Sequence, residues 1–193
     1  RGDNMKKIIF VIIELLLLIM ANLFDNVEKE FKFLAINLSF LYAMTFSENK
    51  LLKISFLLTN IADLFLFVRD DHYEIGVFLF ILVQFIYFLH LGVIKLPHYE
   101  KTLIIILLLL GFIYNELIYL VLIYGIFSLV NVIFGIVNIK KNPLFILGIT
   151  FLLICDIFVG LNNLGVQNAS QVAWYFYIPS QVLIALSIDK KSI

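Results

Sequence analysis

Residues 143–161 read PLFILGITFLLICDIFVGL, an apolar run interrupted by one charge, Asp156. Nineteen residues of helix rise about 28 Å, close to the ~30 Å hydrocarbon core of a bilayer. Residues 51–68, LLKISFLLTNIADLFLFV, repeat the pattern with Asp63. A carboxylate near the middle of such a helix costs about 2.5–3.5 kcal/mol on insertion scales. A charge kept at that cost is by default a functional residue, so Asp63 and Asp156 lead the list of candidates.

The rest of the chain agrees with a membrane setting. It has 193 residues, 63% of them hydrophobic, and zero formal net charge, with a mean hydropathy of +1.05. Soluble domains are about 45–50% apolar, and no basic excess points to a nucleic-acid partner. The single cysteine, Cys155, has no partner for an internal disulfide. No zinc or haem spacing is present, and Cys155 reads as packing. Lys6 and Lys7 followed by residues 8–24 resemble a signal peptide. The apolar run is too long for an h-region and lacks a cleavage site, so it reads as a retained first span. Arg1–Asn4 precede Met5 and read as an extraneous remnant, which leaves 5–193 as a single transmembrane domain.

Spans fall near 6–24, 31–47, 51–68, 74–94, 97–114, 116–139, 143–161 and 172–188. The expected fold is all-α: a polytopic membrane bundle of eight transmembrane helices. Lysine pairs mark both termini and every second loop: Lys6/Lys7, Lys50/Lys53, Lys95/Lys101, Lys140/Lys141 and Lys190/Lys191. The other loops carry only Lys29, Lys32 and Arg69. The positive-inside rule therefore places both termini in the cytoplasm. The bias toward Ile, Phe, Lys and Asn suggests an AT-rich bacterial genome, hence a bacterial cytoplasmic membrane. In this orientation Asp63 precedes Arg69, and Asp156 precedes Asn162, by six residues at the outer ends of their helices. That puts each about 9 Å deep in the outer half.

Other polar residues cluster by helical spacing. Thr59 and Asn60 share the face of Asp63, and Gly160 and Asn163 continue that of Asp156. Span four carries Gln84, Tyr87 and His90. Span eight carries Trp174, Tyr175, Tyr177 and Gln181, with Pro179 to kink it. Asn131 lies in span six, Asn37 in span two, and Glu14 is a third intramembrane carboxylate. Polar groups of this kind often only join helices, for about 0.6 kcal/mol each; Asn37, Gln84 and Asn131 taken singly fit that role, and so does His90. Trp174 and Tyr175 fit an interfacial aromatic belt. Arg69 is an interfacial anchor or, standing above Asp63, a phosphate contact.

Three stretches resemble the lysoplasmalogenase-like (YhhN) family of eight-span membrane proteins. Ala62-Asp63-Leu64-Phe65-Leu66 is similar to the family's Gly-Asp segment. Gly76-Val77-Phe78-Leu79-Phe80 through Tyr87 is similar to its next span. Leu147-Gly148 through Cys155-Asp156, with Trp174-Tyr175 and Gln181-Val182-Leu183-Ile184, resembles the closing pair. Phe31-Lys32-Phe33 resembles a Lys-Pro piece without its proline. The chain departs at Ala62 for glycine, Gln84 for histidine and Cys155 for serine. The resemblance implies hydrolysis of the vinyl ether bond of lysoplasmalogen-type lysolipids, with no cofactor and no metal. The implied partner is a lysophospholipid or other single-chain lipid in the bilayer.

A vinyl ether hydrolyses when an acid protonates its β-carbon and water captures the resulting oxocarbenium ion. Two carboxylates in different protonation states serve a similar cationic transition state in glycosidases. Asp156, in the more apolar local sequence, is expected as the acid and Asp63 as the anionic partner. Asn60, Gln84, Tyr87, Tyr175, Gln181 and Arg69 are expected to bind substrate. Two other classes compete. Intramembrane carboxylates also relay protons in transporters, and the change at Gln84 suits a catalytically silent lipid-binding relative.

Overall fold

The computed structural model describes residues 2–68, 72–92 and 117–187. Every regular element among them is helical: α1 (Gly2–Leu23), α2 (Glu28–Phe46), α3 (Lys50–Asp63), α4 (Tyr73–Leu91), α5 (Leu117–Val137), α6 (Pro143–Asn163) and α7 (Ala169–Leu186). Of these, α4, α5 and α6 are long and apolar enough to cross a membrane. The expected span at 97–114 lies outside the described residues, as does Arg69. Helix α1 already includes Gly2–Asn4.

Local chemistry sets the helix ends. The Asn49 carboxamide oxygen accepts from the backbone N–H of Leu51 at 2.9 Å and of Leu52 at 3.4 Å, capping α3. Asn142 caps α6 by accepting from Phe145 N–H at 3.3 Å, and Pro143 fills the first turn, where its missing donor costs nothing. Gly92 closes α4 at φ +62°, a conformation that favours glycine. After Asp63 the helix widens into a π turn over Leu64–Val68. Such single turns are frequent at functional sites.

Side chains that meet across helices give the topology. Phe10 stacks on Tyr42 and Glu14 meets Ser39, so α1 and α2 are antiparallel. Asn37 meets Asn60 across α2 and α3, and Asn49 meets His90 across α3 and α4. Helices α4 and α5 run parallel, with ring pairs Phe80–Tyr124, Phe85–Phe127 and Phe88–Phe134 in ascending order. Helix α6 returns against α5, and α7 packs on α6 and reaches back to α1 and α2. At the α6–α7 crossing a Cβ on Gly148 would lie 2.6 Å from Ile184 Cγ1 and 3.1 Å from Ser180 O.

The outer surface is apolar, and the largely apolar core also takes in polar side chains. Ile118, Ile126 and Ile133 on α5 and Ile8, Leu15 and Leu16 on α1 are exposed. Glu14, Ser39, Ser55, Thr59, Asp63, Gln84, Ser128, Asn131, Ser180 and Gln181 are buried. An apolar outer surface on this scale requires a cover, and lipid supplies one.

Candidate functional site

Asp63 and Asp156 line one cavity of about 450 Å³, within the roughly 300–1,000 Å³ typical of ligand sites. Its walls come from α3 with its π turn, α4, α5, α6 and α7. Leu66, Val77, Phe80, Val121 and Leu153 supply apolar surface. The cavity extends to Asn162, Asn163 and Ser170 around the α6–α7 turn, so it reaches that end of the bundle.

Each carboxylate is held by a tyrosine. The Tyr177 hydroxyl donates to Asp63 Oδ2 at 2.6 Å, and the Tyr124 hydroxyl donates to Asp156 Oδ2 at 2.6 Å. The environments then diverge. Asp63 is fully buried, and its Oδ1 has no hydrogen-bond partner among the described residues. Asp156 is half-buried on the cavity wall, with the Ser128 hydroxyl beside it. Behind Tyr124, Gln84 Nε2 donates to the phenol oxygen at 3.5 Å, and Asn131 Nδ2 donates to Gln84 Oε1 at 2.8 Å. The chain Asn131–Gln84–Tyr124–Asp156 thus spans three helices and fixes the orientation of one carboxylate.

The remaining expected site residues among the described ones do not line the cavity. Asn60 donates to Asn37 at 3.0 Å, joining α3 to α2. Gln84 stands one layer back, behind Tyr124. Tyr87 is fully buried with its hydroxyl beside Ser55 and Thr59. Gln181 is buried, and both of its amide atoms lack hydrogen-bond partners among the described residues. Tyr175 is 45% exposed and donates to Asn22 Oδ1 at 2.9 Å, tying α7 to α1. Glu14 accepts from Ser39 at 2.7 Å between α1 and α2. Cys155, read as packing, lines the cavity, and so does Trp174, read as belt. No three His, Cys, Asp or Glu side chains form a metal-ligand group among the described residues.

Tyr124 and Ser128 are the contributors that sequence reasoning missed, and Tyr177 was noted in span eight but not assigned to the site. Their signal was spacing. Tyr124, Ser128 and Asn131 fall at i, i+4 and i+7, a polar stripe on an otherwise apolar helix. Trp174, Tyr177 and Gln181 likewise share a face, from which Tyr175 points away.

No family model matches the chain, and neither curated proteins nor solved structures include a significant match to it.

Proposed function

We propose that the protein is a membrane-embedded hydrolase that cleaves the vinyl ether bond of lysoplasmalogen-type lysolipids. It would be an eight-span member of the lysoplasmalogenase-like family, with both termini cytoplasmic, in a bacterial cytoplasmic membrane. The single observation that carries this reading is that Asp63 and Asp156, 93 positions apart in the chain, line one largely apolar cavity.

The chemistry follows from the two environments. One aspartic acid delivers its proton to the β-carbon of the vinyl ether. Positive charge develops on the ether oxygen and α-carbon, and the second, ionised aspartate stabilises it. Water adds to the α-carbon and gives its proton to that carboxylate. The hemiacetal then collapses: the second aspartate, now protonated, gives its proton to the departing glycerol oxygen, and the first takes the proton of the hemiacetal hydroxyl, leaving a fatty aldehyde and the glycerol hydroxyl of the headgroup fragment. Overall one vinyl ether and one water become one aldehyde and one alcohol, and both carboxyl groups recover their starting states.

The donor inventory favours Asp156 as the anion, the reverse of the assignment drawn from local sequence. It has the Tyr124 hydroxyl, backed by Gln84 and Asn131, and it is half-buried where Asp63 is fully buried. Asp63 has one donor, and its free Oδ1 is the atom from which a proton can leave.

The test presents the purified protein in nanodiscs with a 1-alkenyl lysophospholipid and measures released fatty aldehyde. The 1-acyl analogue is the control. Aldehyde from the alkenyl lipid alone is expected. Its absence, together with pH-driven solute uptake into vesicles, would favour transport.

A further inference from the structure

A second cavity, of about 260 Å³, adjoins the first and shares with it Leu66, Phe67, Ser170 and Trp174. Its distinctive residue is Lys32, near the start of α2. Lys32 is only 7% exposed. It forms an ion pair with Glu28 one turn earlier, and its Nζ lies 4.6 Å from the centre of the Trp174 ring. Lys29 also lines this cavity, so the pocket holds two ammonium groups against one carboxylate.

A buried lysine is costly and is rarely found unless it is paired. Glu28 and the ring face of Trp174 hold this one at the mouth of the aspartate cavity. Trp174 also packs on Tyr177, with ring centroids 5.5 Å apart, and Tyr177 holds Asp63. The cation and the carboxylate are therefore separated by one tryptophan and one tyrosine. In a single-chain phospholipid the phosphate and the first chain oxygen are separated by the three carbons of glycerol.

We infer that the Lys32 pocket is the subsite for the phosphate ester of a single-chain lipid whose chain occupies the aspartate cavity. The assignment deepens the reading of the aspartate cavity as a lysolipid site and rests on it. Lys32 is a binding residue here: its ammonium takes a phosphate oxygen, with Glu28 setting its position and Lys29 adding charge at the rim.

Trp174 is the chain's only tryptophan, so its fluorescence reports on this pocket directly. The experiment titrates the purified full chain with 1-acyl lysophosphatidylethanolamine, monoacylglycerol of the same chain, and chain-free glycerophosphoethanolamine. The lysophospholipid is expected to shift the emission at concentrations at least about tenfold below those the other two require, in line with the worth of a charged hydrogen bond. Lys32→Met should erase the advantage over monoacylglycerol while monoacylglycerol binding persists, which also shows that the variant folds. Lys32→Arg should restore it. Equal affinity of wild type for lysophospholipid and monoacylglycerol overturns the subsite. So does glycerophosphoethanolamine binding as tightly as the lipid, which marks a site for small phosphate esters. None of these ligands is a vinyl ether, so the outcome does not depend on catalysis. Binding of the acyl lipid with no aldehyde released from its 1-alkenyl counterpart would leave the subsite standing and remove the hydrolase reading.

Discussion

Asp63 and Asp156 each accept one short hydrogen bond from a tyrosine on another helix. The two phenols are therefore the residues whose loss separates positioning from packing. Tyr124→Phe removes the donor to Asp156 and leaves the ring contact with Phe80 in place. Turnover is expected to fall about tenfold or more with KM little changed, at a stability cost of about 1 kcal/mol. Tyr177→Phe should act in the same direction through Asp63. Parallel kinetics and thermal unfolding in detergent check both. A fall confined to stability would reduce the tyrosines to glue. Asp63 and Asp156 were legible as residues because charge inside an apolar run is conspicuous. Their tyrosines were not, because a tyrosine in such a run costs little and resembles core. Asn60 was chosen for its helical spacing from Asp63 and Tyr175 for its place in span eight and in the family resemblance, yet their side chains serve the α2–α3 and α1–α7 contacts.

Between elements, close approach is set by glycine. A Cβ at Gly148 meets Ile184 Cγ1 at 2.6 Å with backbone atoms of α7 at 3.1 Å, and one at Gly76 meets Leu66 Cγ at 2.6 Å and Ala62 O at 3.1 Å. Gly148→Ala is expected to push α6 from α7 and cost about 1–3 kcal/mol. Gly125→Ala, where nothing lies within 4 Å of the added carbon, should be neutral or slightly stabilising. Thermal unfolding of the two variants side by side checks the difference. Helix positions in the sequence were readable from apolar runs, whereas the caps Asn49 and Asn142 were not singled out. Which helices touch was not readable either. The parallel pairing of α4 with α5, which brings Gln84 to Tyr124 and Asn131, depends on packing between segments far apart in the chain. The π turn after Asp63 is equally silent, since Leu64–Val68 reads as ordinary apolar helix.

For the whole molecule, the shared cavity turns two separate oddities of composition into one site. Equal depth along two helices was an inference from loop lysines. The cavity adds that α3 and α6 present their aspartates to a common space, which no spacing within either helix encodes. The cavity reaches the α6–α7 end of the bundle, where the orientation drawn from the lysines puts the outer leaflet. A reporter fused after Ile193 should therefore be cytoplasmic; an extracytoplasmic one would reverse the leaflet from which substrate enters. The central claim, that the two carboxylates act together on one bound lipid, is tested most directly by fatty aldehyde release from a 1-alkenyl lysophospholipid by Asp63→Asn and Asp156→Asn. Lipid binding is followed in the same samples through Trp174 emission. Each substitution is predicted to lower aldehyde release by about 10²–10⁴-fold while binding persists. Near wild-type release from either folded variant would contradict the account.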